Sequence, residues 1–242
     1  MPPQNTLYVE EAVSWIRENC VGVTHVGFSG GKDSICLAGL MKLSQIKYEL
    51  HYQYTGIDPP ELLHFIRRYY PKTFIHFPQR SFWSLLLTQN VPNGKLRWCC
   101  RTQKKTPEIP RILGVRKEES TQRSKYPRVN YIKNVPVYYP ILNWQEWQVW
   151  EFIERCNLPF PMLYDIGFDR LGCIICPFHS ESTGKKHSLY RQHWPKYFDT
   201  FEKYVNKLYL KRQAQGRKMY YKSSEEFCRA WYLDDMARWY AE

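Results

Sequence analysis

Tyr8, Ala12, Trp15 and Ile16 recur at helical spacing and predict a helix that leads into an apolar run from Val21 to Phe28, which reads as a strand. Asp33 to Leu43 predicts the next helix, Tyr48 to Tyr54 a second strand, and Glu61 to Tyr70 a helix introduced by Pro59 and Pro60. Thr73 to Phe77 predicts a short third strand and Arg111 to Val115 a fourth. Strands alternating with helices in this way predict parallel βα units, and no internal sequence repeat is visible. Beyond Val135 the pattern turns helical and aromatic. Trp144, Trp147, Val149, Trp150 and Ile153 fit one amphipathic helix, and Trp194, Phe198, Phe201, Val205 and Leu208 fit another. Both stripes read as packing faces. The fold class expected is α/β: a Rossmann-like parallel sheet flanked by helices, with a helical C-terminal extension.

The sequence Phe28-Ser29-Gly30-Gly31-Lys32-Asp33-Ser34 falls between the first strand and the second helix. Glycines let a backbone approach an anion without Cβ clashes, and amides at a helix N-terminus point at it with the favourable end of the helix dipole. Lys32 adds a mobile positive charge, Ser29 and Ser34 add hydroxyls, and Asp33 can cap the helix. A Walker A loop is excluded at two positions, because Asp33 follows Gly31-Lys32 and Val26 stands where the first glycine belongs. Gly27-Phe28-Ser29-Gly30-Gly31 also fits a nucleophile elbow with Ser29 as nucleophile, but that reading leaves Lys32-Asp33 without a role. A bare glycine turn does not call for a Lys and two Ser. Ligands of doubly wound sheets collect at the carboxyl ends of strands, so Thr55 to Asp58, Gly114 to Ser120 and the proline-containing loop from Leu158 to Leu171 are expected around this phosphate cradle. An ordinary proline-rich turn is the alternative for Thr55 to Asp58.

Charge adds a second theme. The net charge of +12 on 242 residues is concentrated in residues 91–134, with twelve Lys/Arg against three acids, and residues 184–222, with eleven against two. Such blocks suit polyphosphates or a nucleic-acid backbone, while the i, i+4 spacing of Lys203, Lys207 and Lys211 is also that of a solvated helix face. The N-terminus lacks a basic start followed by an apolar run, and no segment reaches the roughly 18 apolar residues of a membrane span. A soluble cytoplasmic protein with no membrane partner is therefore expected. In a reducing compartment the eight cysteines read as thiols or metal ligands rather than disulfides. Cys99-Cys100 and Cys173-Ile174-Ile175-Cys176 are the paired ones, and a metal, a redox dithiol and buried thiols are the three readings of them. Adjacent cysteines favour a multi-iron cluster over a single tetrahedral zinc. Cys20, Cys36, Cys156 and Cys228 are isolated among apolar neighbours and read as core.

The Ser-Gly-Gly-Lys-Asp-Ser run resembles the PP-loop of ATP pyrophosphatases, the adenine nucleotide alpha hydrolase-like superfamily. Further motifs sharpen the likeness: Tyr54-Thr55-Gly56-Ile57-Asp58-Pro59-Pro60-Glu61, Arg97-Trp98-Cys99-Cys100-Arg101, Gly114-Val115-Arg116, and Gly167-Phe168 through Arg170-Leu171-Gly172 to Cys173 and Cys176-Pro177. Together they look like the PAPS reductase family over about residues 20 to 180, and within it the iron-sulfur DndC-type DNA phosphorothioation proteins and the APS reductases. The resemblance implies that ATP with Mg²⁺ is cleaved between its α and β phosphates. It implies nucleotide binding by Phe28, Ser29, Gly30, Gly31, Lys32, Asp33, Ser34, Thr55, Gly56, Asp58, Gly114, Val115, Arg116, Arg123 and Arg170, with Lys32, Asp33, Ser34 and Arg116 as the catalytic set. It further implies a 4Fe-4S cluster on Cys99, Cys100, Cys173 and Cys176.

Two departures choose among the members. Sulfonucleotide reductases carry a nucleophilic cysteine in a C-terminal tail, whereas this sequence ends Trp239-Tyr240-Ala241-Glu242, and its Gly-Gly-Lys-Asp-Ser loop resembles the ATP-cleaving relatives. The reading that follows is adenylation of an acceptor, a DNA backbone phosphate, for sulfur incorporation, with a cysteine desulfurase as sulfur source. The alternatives are a sulfonucleotide reductase, a tRNA thiolation enzyme and a non-enzymatic nucleic-acid binder. On this view residues 1–180 form the PP-loop domain, including the cysteine pairs, and residues 181–242 a basic helical extension packed on it.

Overall fold

The computed structural model describes residues 7–93, 96–104, 107–177 and 185–232; the side chains of residues 185–187, and the expected boundary at residue 180 together with the Trp239 to Glu242 tail, lie outside what is described. By internal contacts the chain divides into two compact units. The first comprises Met1–Gln53, Pro60–His76 and Thr106–Leu171, and the second Tyr54–Pro59, Phe77–Lys105 and Gly172–Glu242.

The first unit holds α1 (Leu7–Asn19), β1 (His25–Gly27), α2 (Lys32–Ser44), β2 (Glu49–Gln53), α3 (Pro60–Tyr69) and β3 (Phe74–His76), followed by β4 (Arg111–Leu113), β5 (Val129–Ile132), β6 (Val135–Tyr138) and α6 (Glu146–Arg155). The second holds α4 (Phe82–Gln89), α5 (Trp98–Gln103), α7 (Lys185–His193), α8 (Pro195–Ala214) and α9 (Ser224–Tyr232).

The strands order as β3-β2-β1-β4-β6-β5, parallel except that β5 runs antiparallel to β6. β1 is paired on both sides, His25 lying opposite Glu49 of β2 and Arg111 of β4. The chain crosses from β1 to β2 on one side and later enters β4 on the other, so the carboxyl end of β1 is the switch point of the sheet. Ile35, Cys36, Leu37, Leu40 and Met41 make α2 apolar around its circumference, and α1 and α6 pack against it. Gly39 allows that approach, since a Cβ there would stand 2.8 Å from both Leu158 and Phe152.

The sheet differs from its sequence pattern in three ways. The apolar run from Val21 is strand only from His25, because Gly22 turns the chain at φ +79° and leaves Val21 exposed. The region around Val135 is a β-hairpin rather than the start of a helical segment. Lys133 and Asn134 carry φ of 52° and 64°, the positive pair of a tight hairpin turn, and Pro136 is tolerated because β4 pairs only with Val137 and Tyr138. Trp144 is buried ahead of α6, whereas Trp147 on α6 is exposed; Val149, Phe152 and Ile153 form the covered face.

His25, His51 and His76 line up across β1, β2 and β3. The His25 and His51 rings stack with centroids 3.8 Å apart, and His51 Nδ1 lies 2.9 Å from His76 Nε2. Burial, helped by His51, His76 and Arg111, lowers His25 from an ordinary 6.5 to about 4, and burial lowers His51 as well. His25 and His51 are favoured as neutral rings in the folded sheet and take up protons on unfolding, so their contribution is complete above about pH 6.5 and fades as the pH falls toward 4. For His25 the loss should be on the order of 3 kcal/mol. Urea midpoints measured from pH 7 to pH 4 should fall more steeply in the native protein than in His25→Leu; parallel curves would contradict this assignment.

In the second unit α8 is two-faced, as its spacing predicts. Phe198, Phe201, Val205 and Leu208 are buried, and α4 and α9 contribute Phe82, Leu85, Leu86, Phe227 and Trp231 to the interior. Trp194 is buried and stands at the N-cap position, ahead of the helix, without a side-chain cap. The Trp231 indole donates to the Pro92 carbonyl at 2.6 Å, satisfying its buried N–H. Among the described residues no helix is long and apolar enough to cross a membrane.

Candidate nucleotide site and cysteine centre

β1 delivers the chain directly into the Ser29 to Ser34 loop. Gly30 turns it at φ +72°, and Gly31 is the N-cap of α2 without a side-chain cap. The loop closes on itself through serine hydroxyls. Ser34 Oγ donates to the Gly31 carbonyl at 2.8 Å and accepts from the Ser29 amide at 3.2 Å, while Ser29 Oγ accepts from the Gly31 amide at 3.4 Å. Asp33 does not cap α2 as its position suggested, because it lies inside the first turn and faces Arg116. Phe28 is buried and packs on Tyr70, so it supports the loop from below.

β4 supplies the opposite wall. Gly114 passes so close to α2 that a Cβ would stand 2.7 Å from the Asp33 carbonyl oxygen, which excludes a side chain there. Val115 packs on the cluster of Val137, Tyr139 and Leu142. Arg116 is buried and forms an ion pair with Asp33 at 2.5 Å, a second with Glu118 at 2.5 Å, and a longer one with Glu146 at 3.9 Å. Burial opposes its charge, but Asp33, Glu118 and Glu119 together hold the guanidinium above its ordinary value. Arg123 pairs with Glu119, whose carboxylate also accepts from the Arg116 amide at 2.8 Å. Arg170 is exposed.

Lys32 is buried despite its charge. Its ammonium donates to the Asp169 carbonyl at 2.9 Å and lies 3.4 Å from Glu146, and its amide donates to the Tyr164 hydroxyl at 2.8 Å. The loop from Leu158 to Leu171 therefore does return to the cradle, as its position in the pattern predicts. Tyr164, Asp169 and Glu146 were not singled out in the sequence, whereas Glu118 lies in the Gly114 to Ser120 stretch that was. Glu146 sits in the first turn of α6, where an acid is ordinary helix chemistry, and a lone loop tyrosine carries no motif.

Thr55, Gly56 and Asp58 belong to the second unit, with the cysteines. Asp58 is buried; its Oδ2 accepts from the Thr55 amide at 2.7 Å and hydroxyl at 2.8 Å, and its Oδ1 accepts from the Cys173 thiol at 3.6 Å. The Ile174 amide donates to the Ile57 carbonyl at 2.7 Å, so residues 55–58 form the bed on which the Cys173 turn lies. Gly56, at φ +79°, has open space around it.

Cys99 and Cys100 sit on the short helix α5. A hydrogen bond from Cys99 favours the Cys100 thiolate, with Lys104 and Arg97 assisting, while Cys99 is held protonated by the same bond and by burial. Burial raises Cys173 to about 12, against the pull of Lys104. Lys104 in turn is held charged by Cys173, Asp58, Cys100 and Cys176. The donor set suits a thiolate-bound centre in kind: four thiols from two segments of one unit, beside a counter-charge. Among the described residues, however, no three His, Cys, Asp or Glu side chains stand in a metal-binding arrangement. Cys20, Cys36 and Cys228 are buried as expected, and Cys156 is half-buried.

The phosphoadenosine phosphosulfate reductase domain model matches residues 24–179, which include the cradle, Arg116 and all four paired cysteines. The chain belongs to this family. Among relatives of the reductase-domain chain, the uncharacterized protein MJ0066 of Methanocaldococcus jannaschii is 28% identical over 224 residues, covering 83% of this chain and 46% of the relative. The adenosine 5'-phosphosulfate reductase of Oceanobacillus iheyensis is 32% identical over 144 residues, 53% of this chain and 57% of that protein. The chain thus spans about half the length of these curated relatives. The phosphoadenylyl-sulfate reductase of Candida auris, solved as a phosphate complex, superposes with a TM-score of 0.54 at 16% identity over 67% of this chain and 88% of that one, which shows a shared fold. The mostly parallel sheet flanked by helices is the adenine nucleotide alpha hydrolase-like fold expected from the motifs.

Proposed function

We propose that this PAPS reductase-family chain binds ATP with Mg²⁺ on the Ser29 to Ser34 loop and transfers the adenylyl group to an acceptor, a DNA backbone phosphate, preparing it for sulfur incorporation. The observation that carries the nucleotide reading is the buried Lys32 at the switch point of the sheet, at the head of α2, with its ammonium 3.4 Å from the Glu146 carboxylate. Nucleotidyl transfer asks for positioning and charge neutralisation rather than a protein nucleophile, and the loop supplies both. The amides of Gly31 and Lys32 and the Lys32 ammonium suit the leaving pyrophosphate. Arg116, fixed by Asp33 and Glu118, suits charge that develops on the α phosphate.

The acceptor reading rests on α8. Lys196, Lys203, Lys207 and Lys211 are exposed along one stripe, opposite the buried Phe198, Phe201, Val205 and Leu208. Such a stripe supports the reading of a helix laid against a phosphate backbone, although the same i, i+4 spacing also serves a solvated helix face. The earlier basic block is different in kind: Arg116, Arg123, Arg128 and Lys133 are each engaged by an acid. Cys99, Cys100, Cys173 and Cys176 are the residues that would hold a 4Fe-4S cluster, and such a centre would supply iron able to bind sulfur delivered by a cysteine desulfurase. The chain's own contribution there is to fix Cys173 against Thr55 and Asp58 and to hold Lys104 beside the thiols.

Anaerobically purified protein incubated in parallel with labelled ATP, APS and PAPS separates the readings. Pyrophosphate should be released from ATP, in a manner stimulated by duplex DNA. Sulfite release from APS or PAPS would replace this proposal with a sulfonucleotide reductase, and stimulation by tRNA alone would move the acceptor to RNA.

A further inference from the structure

Two of the donors that a bound phosphate needs are already engaged by the protein. The Lys32 amide, at the first turn of α2, donates to the Tyr164 hydroxyl at 2.8 Å, and the Lys32 ammonium donates to the Asp169 carbonyl at 2.9 Å. Both acceptors come from one short segment, and the Tyr164 hydroxyl also lies 3.4 Å from where a Cβ on Gly31 would stand. The segment is anchored on either side of the tyrosine by buried side chains, Leu163 and Phe168, with the Phe168 amide donating back to the Leu163 carbonyl at 3.1 Å. The Tyr164 ring meets Trp150 edge-on at 5.0 Å and Phe160 at 6.5 Å. An aromatic seat therefore presents one hydroxyl oxygen to the amide at the mouth of the cradle.

We propose that Tyr164 sets the affinity of the cradle for phosphate: its hydroxyl occupies the Lys32 amide in the nucleotide-free protein, and an incoming pyrophosphate group must displace it. This rests on the phosphate-binding reading of the Ser29 to Ser34 loop. A phosphate oxygen is the stronger acceptor of the two, because it is charged, so the exchange favours ligand; yet every binding event first breaks the tyrosine contact. The Asp169 carbonyl leaves the ammonium in the same exchange. In the bound state the contact is absent whether or not the hydroxyl exists, so removing the hydroxyl raises the free state alone.

The test is calorimetric titration of inorganic pyrophosphate, ATP and adenosine into the native protein, Tyr164→Phe and Lys32→Ala. Phenylalanine keeps the ring on Trp150 and Phe160 and deletes the hydroxyl, and with it the acceptor of the Lys32 amide. Tyr164→Phe should bind pyrophosphate and ATP about fivefold more tightly, the worth of one ordinary hydrogen bond, and adenosine unchanged. Unchanged or weaker pyrophosphate binding by Tyr164→Phe, with Lys32→Ala still losing it, would overturn the proposal while leaving the phosphate site in place. An equal gain for adenosine would also overturn it, since that reports a loosened loop. Full pyrophosphate binding by Lys32→Ala would instead remove the phosphate reading itself.

Discussion

Lys32→Ala should lower pyrophosphate release from ATP by roughly 10²- to 10³-fold, the usual loss when one preorganised charge or donor is withdrawn from a transferring phosphoryl group. The ammonium is carried on a buried stem, so it is aimed at one place rather than ranging through solvent. The carboxylate beside it, Glu146, is about half exposed, and losing that pair should alter stability little. The loss therefore belongs to the reaction. Urea unfolding of Lys32→Ala should overlay the native curve while the steady-state rate collapses. A rate within about twofold of native would remove Lys32 from the catalytic set, and a collapsed urea midpoint would show that its role is structural.

The cradle was legible because its residues are consecutive. Two glycines, a lysine and two serines at one strand-to-helix junction have few other uses, and the local chain geometry is enough to place them. Gly114 and Arg116 were legible for a related reason, as the end of the neighbouring strand. What the sequence concealed was long-range pairing. That Asp33 answers to Arg116, and Lys32 to Tyr164, Asp169 and Glu146, depends on contacts between residues 83 to 137 positions apart in the chain, which no local pattern encodes. Asp33 looked like a cap because capping is the local use of an aspartate there, and tertiary pairing won. The hairpin from Val129 to Tyr138 was hidden by Pro136, which argues against a strand unless one knows that β4, on the side away from β5, leaves that position unpaired. Charge was legible as a sum and not as a surface, since several basic residues of the first block are matched to acids only in the folded chain.

Arg116 should be the most costly single charge to remove from the first unit. It is 3% exposed and stands among Asp33, Glu118 and Glu146, so its loss takes the shared cation from all three, and Glu146 alone keeps Lys32 beside it. Asp33, at 21% exposure, is the one that water rescues least. Arg116→Met keeps most of the apolar stem and removes the charge. It should destabilise the protein by about 3 kcal/mol, because breaking a buried pair costs more than the pair is worth. If the cost is uncompensated charge, Asp33→Asn added to Arg116→Met should recover part of it, whereas a cost from lost packing would be unaffected by the second change. The same substitution should slow pyrophosphate release, because Asp33 lies in the first turn of α2 and its backbone carbonyl is the atom that Gly114 packs against. Chemical denaturation of the two single variants and the double variant reads the coupling directly. Strict additivity would mean that Arg116 and Asp33 act independently, and the guanidinium would then have to be assigned to the nucleotide alone.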